Sequence, residues 1–383
     1  MLNPETLLAR LVGFDTTSHR SNRPCIDFVR DYLDGFGIAS RIIPAADGAK
    51  ACLWATIGPQ DRPGLVLSGH SDVVPVDGQN WSSDPFTLAE REDRFFGRGA
   101  CDMKAFIACA LSVMTGFAKR PLKHPVHLAL THDEETDMCG ALRLTDYLRQ
   151  QGIRPSWVWI GEPTGLRLID SHKGVAAFET KITGVPGHSG QPDKGLNAID
   201  LAVEFATILQ QTAASRKSQP FPASRFDPPY TTFNAGIIEG GTAENIIAEH
   251  CRFLWQMRAH PGEDFDATLA EIESAAVRQI HPRFRAFAPK AGLATCTCFN
   301  IPPLMPTTSN PGTDLLKRLT GRIETEAVSF GTEGGFFQKL GAHVVICGPG
   351  EIDQAHKADE FVSREQLTLC TGLLEKTLAE AVQ

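Results

Sequence analysis

The sequence lacks several features that mark whole classes of protein. No run of ~18 apolar residues occurs, so a membrane-spanning helix is not expected. The ten cysteines are scattered without a Cys-x-x-Cys pair, and the nearest neighbours are Cys296 and Cys298. A thiolate zinc site or dithiol redox motif therefore has no support. There is no long polar or like-charged tract, which disfavours disorder. Basic residues are the minority, 37 against 45 acidic, for a net charge of -8. Nucleic acid is not expected as a partner, because phosphate binding needs a basic face. Residues 1–6 offer neither a basic n-region nor an apolar h-region. Cys52, Cys109 and Cys347 sit among apolar neighbours, as buried free thiols do. Together these absences lead us to expect a cytoplasmic protein with a small-molecule partner and no membrane or nucleic-acid role.

What is present is an ordinary globular mix, 42% hydrophobic over 383 residues, long enough for more than one domain and a large core. Helical spacing of apolar residues appears at 3–12, 24–36, 105–117, 140–151 and 363–382. Short apolar runs at 51–57, 64–67, 126–131 and 157–160 read as strands. This alternation predicts an α/β fold with a mixed, mostly parallel sheet flanked by helices. From 175 to 288 the pattern changes to strand, helix, two strands and helix, which suits an inserted α+β sandwich. Residues 1–174 and 289–383 would then form one domain and 175–288 another.

In the first domain, strands end in ligand-type residues. Residues 65–72 close on His70 and Asp72, 126–131 lead into Asp133-Glu134-Glu135, and 157–160 lead into Gly161-Glu162. In parallel sheets, ligands gather at the carboxyl ends of strands. With Asp102 and His356, these residues form a set of hard carboxylates and imidazoles that suits zinc, manganese or cobalt. A carboxylate can bridge two such ions. Asp72 could accept the ring N–H that a metal leaves free on His70. Of the pair Glu134-Glu135, one carboxylate can ligate metal while its neighbour faces the water to be activated. The alternative, a solvated helix start capped by Asp133, remains open at this point. His124, His127, His250 and His281 carry no comparable context.

The segments Ser68-Gly69-His70-Ser71-Asp72-Val73-Val74-Pro75, Gly97-Arg98-Gly99-Ala100-Cys101-Asp102-Met103-Lys104, Asp133-Glu134-Glu135, Gly161-Glu162-Pro163-Thr164 and Ala355-His356-Lys357-Ala358-Asp359-Glu360 together resemble the dinuclear zinc aminoacylase/carboxypeptidase family. The resemblance implies a zinc-peptidase fold with a lid that is also the dimer interface, and two divalent ions per chain, zinc or cobalt. It implies that Asp102 bridges the ions, that His70 and Glu162 complete one site, and that Glu135 and His356 complete the other. Glu134 would be general base and acid, Asp72 would orient His70, and the Asp102-Met103 peptide would be cis. Ala105 stands where the family commonly has glycine.

The lid segments Gly187-His188-Ser189-Gly190 and Gly195-Leu196-Asn197-Ala198 also match. By the same resemblance, His188 would cross a homodimer to polarise the scissile carbonyl, while Asn245 and Arg258 would hold a substrate carboxylate. The run Ser329-Phe330-Gly331-Thr332-Glu333-Gly334-Gly335-Phe336 is similar to the branch of the family that deacetylates N-acetyl-L-ornithine. Gly331, Thr332 and Glu333 would then be substrate-binding, with Glu333 meeting the side-chain ammonium. Other N-acyl amino acids, succinyl-diaminopimelate or dipeptides are the alternative substrates, and a non-catalytic metal-dependent binding protein is the alternative of another class, disfavoured because binding alone needs no base such as Glu134.

Overall fold

A computed structural model describes residues 1–287 and 289–382. In chain order the strands are β1 (Ser40–Pro44), β2 (Ala51–Ile57), β3 (Leu65–His70), β4 (Ala89–Arg91), β5 (Arg94–Phe96), β6 (Val126–Thr131), β7 (Trp157–Ile160), β8 (Ile169–His172), β9 (Gly174–Thr183), β10 (Thr232–Gly240), β11 (His250–Ala259), β12 (Gly292–Ile301), β13 (Glu326–Val328), β14 (His343–Ile346) and β15 (Phe361–Ser363). The helices are α1 (Pro4–Val12), α2 (Arg23–Asp34), α3 (Lys104–Phe117), α4 (Cys139–Gln150), α5 (Ala198–Ser218), α6 (Phe265–Gln279), α7 (His281–Phe284), α8 (Pro311–Thr320), α9 (Gly334–Gln338) and α10 (Arg364–Val382). The chain divides into two compact units. The first comprises Met1–Ser171, Leu304–Glu326 and Thr332–Gln383, and the second His172–Pro303 with Ala327–Gly331.

Among the described residues, the larger sheet has eight strands ordered β1-β2-β6-β3-β7-β14-β8-β13, of which β1, β2, β3, β6, β7 and β14 lie wholly in the first unit. Its centre is parallel, β6 to β3, β3 to β7 and β7 to β14. The flanking pairs β1/β2, β2/β6 and β14/β8 are antiparallel. β3 and β6 are buried at every position. They read as unbroken apolar runs because a strand covered on both faces has no solvent side to mark by alternation. Helix α3 is buried everywhere except Gly116, and α1 and α10 pack against it. Leu7, Leu8 and Leu11 of α1 are fully buried there, each such leucine contributing ~1.5–3 kcal/mol. Asn3 starts α1 by accepting a hydrogen bond from the Thr6 amide at 2.8 Å, which satisfies one of the free donors of the first turn. Ala105 lies in the first turn of α3 and is fully buried.

The second unit is a four-stranded antiparallel sheet ordered β10-β11-β9-β12. β11 alternates, with Cys251, Phe253, Trp255 and Met257 inward in a core shared with α5 and α6. This is the pattern of a sheet with one covered face. Phe178 stacks on Trp255 with ring centroids 4.0 Å apart.

The second unit extends further than the sequence pattern suggests. The expected boundary residue 288 lies outside the described residues. Beyond it, β12 pairs with β9 from Gly292 to Ile301, and 327–331 belongs to the same unit. Periodicity identifies a strand but not its distant partner. Ile246 forms an isolated bridge with His188, and β11 begins at His250. Among the described residues, no helix is long and apolar enough to cross a membrane.

Candidate active site

The parallel registers place three strand ends side by side. His70 lies opposite Thr131, and Ser68 opposite Ile160. The residues that follow these strands therefore emerge at one edge of the sheet. After β7, a Cβ on Gly161 would lie 1.8 Å from the Phe106 ring, so only glycine lets the chain pass the helix and deliver Glu162. Asp102 comes from the turn that precedes α3, and its peptide with Met103 is cis. His356, with a left-handed φ of 62°, comes from the loop before β15.

These residues converge within the first unit. Asp102 Oδ1 lies 3.0 Å from His70 Nε2, and its Oδ2 lies 3.4 Å from His356 Nε2. His356 Nε2 is also 3.0 Å from the Glu135 carboxylate, and His70 Nε2 is 3.8 Å from Glu162 Oε1. Possible ligand atoms of His70, Asp102 and Glu135, and of His70, Glu134 and Glu162, each fall within 4.8 Å of one another. Glu134 is thus grouped with the imidazole and carboxylate of one position.

The electrostatics favour a cation here. Burial, followed by the charge of Glu162, pushes Glu134 well above the usual carboxylate range; burial and then Asp102 do the same for Glu162 and, less strongly, for Glu135. For Asp102, burial opposes ionisation, but hydrogen bonds with His356 and His70 hold it below the ordinary range. Asp102 and Glu135 in turn raise His356 to about 10. Glu162 Oε1 is buried with no hydrogen-bond partner among the described residues. Such an orphaned acceptor is costly unless a cation satisfies it. A hard, oxygen-rich donor set with two imidazoles and no thiolate fits zinc, manganese or cobalt.

Asp72 takes a different part from the one its spacing suggested. His70 Nδ1 lies 2.9 Å from the main-chain oxygen of Asp72, while the nearer carboxylate oxygen is 3.7 Å away. The carbonyl can only accept, so it fixes the proton on Nδ1 and leaves Nε2 as the free donor atom. The Asp72 carboxylate instead accepts from the amides of Glu134 at 3.1 Å and Glu135 at 3.3 Å, and from Ser18 Oγ at 2.7 Å. The bend that aims the two glutamates begins at Asp133, whose φ is 62°. Its carboxylate is paired with Lys50 and lies 2.9 Å from His132 Nδ1. Lys50 thereby neutralises the His132, Asp133 and Cys139 group, which otherwise has the composition of a cation site. Helix α4 starts only at Cys139, so Asp133 is not the helix cap that the acidic run also allowed. Ser18 and Lys50 carried no signal in the sequence, since they act across separations of 54 and 83 residues.

Glu333 is hydrogen-bonded within the first unit. It is only 1% exposed; one carboxylate oxygen accepts from Ser68 Oγ at 3.0 Å and the other from Thr131 Oγ1. The carboxylate ties β3 to β6 beneath the strand ends. Thr332 is likewise buried, its hydroxyl accepting from the Gly334 amide at 3.1 Å. Gly331 closes the short segment that belongs to the second unit, where an added Cβ would lie 3.0 Å from Val175 Cγ2. His188, Asn245 and Arg258 all lie in the second unit. His188 is exposed, and its Nδ1 accepts from the Gly190 amide at 3.0 Å. The Ser189 amide donates to the Asn245 carbonyl at 3.1 Å, joining those two segments. Arg258 is half-buried on β11, and its Nε donates to Gln256 Oε1 at 2.9 Å.

Comparison with known proteins agrees with this architecture. An acetylornithine deacetylase of Pasteurella multocida (strain Pm70) is 34% identical over 96% of this chain and 94% of its own length. An acetylornithine deacetylase of Myxococcus xanthus is 35% identical over 97% and 96%. The crystal structure of an M20 family metallo-carboxypeptidase from Sulfolobus solfataricus superimposes with a TM-score of 0.74 at 16% identity, covering 100% of both chains. The profile of Peptidase family M20/M25/M40 matches residues 66–380, a span that contains every strand-end carboxylate and imidazole described above, and the chain is a hydrolase that belongs to this family.

Proposed function

We propose that the protein is a divalent-metal-dependent amidohydrolase that cleaves N-acetyl-L-ornithine to L-ornithine and acetate, a step of arginine biosynthesis. The observation that carries the metal chemistry is Asp102, whose two carboxylate oxygens face different imidazoles, His70 and His356. On this reading His70 and Glu162 would hold one ion, Glu135 and His356 a second, and Asp102 both. Bound there, the ions would polarise the acyl carbonyl and make water acidic enough to deprotonate near neutral pH. Zinc fits the donors best, and cobalt fits them as well.

Glu134 removes the proton from the attacking water and returns it to the departing amine. Its raised proton affinity suits a group that must carry that proton between the two events. The Asp72 carboxylate holds the Glu134 and Glu135 amides and so keeps base and ligand in fixed relation. His188, reaching across the homodimer, donates to the carbonyl oxygen as negative charge develops. Arg258 and Asn245 hold the α-carboxylate, the guanidinium meeting it with parallel hydrogen bonds. The second unit serves as lid and dimerisation domain. Its edge strand β10 is exposed along most of its length and shows Ile237 and Ile238 to solvent, and an edge of that kind is ready to pair with another chain. Ten free cysteines suit a cytoplasmic enzyme.

A second substrate reading, other N-acyl amino acids or dipeptides, is favoured by the hydrogen bonds from Ser68 and Thr131 that already engage both Glu333 oxygens. Metal-stripped protein reloaded with zinc or cobalt is to be assayed against acetylornithine, acetylmethionine, succinyl-diaminopimelate and simple dipeptides. Hydrolysis of acetylornithine with the highest kcat/KM supports the first reading. Preference for another substrate assigns the enzyme to that branch, and activity unchanged by metal removal rejects the metal chemistry.

A further inference from the structure

We propose that Glu360, acting with Arg98, is a positioning residue that sets the Asp102–His356 half of the metal site; this rests on the two-ion reading above. The Glu360 carboxylate is buried and fully engaged. Oε1 accepts from the Cys101 amide at 2.8 Å and the Asp102 amide at 3.0 Å. Oε2 accepts from the Gly99 amide at 3.1 Å and from Arg98 Nη1 at 2.6 Å. One side chain thus gathers three main-chain donors, Gly99, Cys101 and Asp102, of the turn that ends in the Asp102 carboxylate. The main chain adds a fourth tie, from the Gly97 amide to the Glu360 carbonyl at 2.9 Å.

Arg98 extends the same device to the other ligand. Its guanidinium is buried; Nη1 also reaches the Lys357 carbonyl at 3.3 Å, and Nη2 donates to Gln79 Oε1 at 2.5 Å. Gln79 Nε2 donates in turn to the His356 carbonyl at 3.0 Å. The residues on both sides of the Asp102 Oδ2–His356 Nε2 contact are therefore anchored to one buried ion pair.

The two halves of the site differ in their need for such bracing. His70 and Glu162 stand at the ends of buried, hydrogen-bonded parallel strands and are themselves buried. Asp102 and His356 come from loops; the His356 side chain is half exposed, and its φ lies in the left-handed region. The short antiparallel ladder of β15 with β5, Phe361 opposite Phe96, brings the bases of these loops together, and the Glu360 carboxylate carries that link on to the Asp102 turn. A glutamine at 360 would keep the volume but would place an amide N–H against a backbone N–H. It would also remove the charge that holds Arg98 in its fork.

The test is cobalt titration of chelator-treated wild type, Glu360→Gln and Gln79→Ala, followed by calorimetry and by the visible Co²⁺ spectrum, with apo-protein melting measured in parallel. Wild type should bind two ions. Glu360→Gln should bind the weaker ion about 10–100-fold less tightly, the usual cost of losing a group that orients ligands. Its tighter ion should stay within about threefold of wild type, a difference that general destabilisation would not produce. Gln79→Ala, which leaves the buried pair intact, should weaken the same ion by a smaller factor and keeps the test usable if Glu360→Gln fails to fold. Equal weakening of both ions, or two wild-type affinities in the folded variants, overturns the proposal. Wild type that binds only one ion overturns the two-ion reading and this inference with it.

Discussion

The Asp72 carboxylate accepts a hydrogen bond from the main-chain amide of Glu134 at 3.1 Å, while its own main-chain oxygen meets His70 Nδ1 at 2.9 Å. One residue thus orients an imidazole through its backbone and a glutamate through its side chain. Asp72→Asn keeps the first contact and damages the second, because its amide N–H₂ must face a backbone donor. We expect kcat to fall ~10–100-fold, the usual scale for disturbing a group that orients a metal-site residue. The binding of a non-hydrolysed product such as ornithine should change little. Steady-state kinetics with product-inhibition constants checks this; unchanged kcat would show that Asp72 acts through its carbonyl alone.

Glu134 lies in the same group as His70 and Glu162, so base and ligand must be told apart by experiment. As a base, Glu134→Gln should keep metal content and lose ~10²–10⁴-fold in kcat. Elemental analysis beside single-turnover rates decides the matter. Parallel loss of metal and activity would make Glu134 a ligand.

Glu333 faces Ser68 and Thr131, not an open pocket. Glu333→Gln should therefore lower kcat/KM for acetylornithine and acetylmethionine by the same factor, since only acetylornithine carries an ammonium and Glu333 does not meet it. A loss confined to acetylornithine would return Glu333 to the substrate site.

His127, passed over in the sequence, has a clear acid signature. Its ring is 7% exposed, stacked on Trp54 and hydrogen-bonded through Nδ1 with Thr56. Burial lowers its pKa from 6.5 to about 4. Between these values the unfolded chain binds the proton and the folded chain does not. Stability is therefore intact above about pH 6.5 and falls as the pH drops towards 4, by on the order of 3 kcal/mol. Urea unfolding from pH 7 to 4 should show this slope in wild type and a shallower one in His127→Gln. Identical slopes would assign the acid sensitivity to other groups.

Much of the candidate site was legible because its imidazole and carboxylate residues sit where strands stop. An apolar run that ends in His70, or one that leads into Gly161-Glu162, carries both the strand and its functional end in one short stretch. The alternation of such runs with helical spacing defined the α/β class, and α3 and α4 begin within one residue of their expected positions. These are local properties, set by side chains within a turn or two of one another. What required the tertiary structure was every relationship across long separations. The pairing of β12 with β9, the hold of Asp72 on the Glu134-Glu135 bend, the Lys50–Asp133 pair and the burial of Glu333 between Ser68 and Thr131 have no local pattern. A hydrogen-bond partner fifty or more residues away is chosen by how the sheet and loops pack, and residue type alone does not name it. Glu333 illustrates the difference: in the sequence it is an acidic residue in a glycine-rich segment, and only the packing of β3 and β6 around it decides that its carboxylate serves the scaffold.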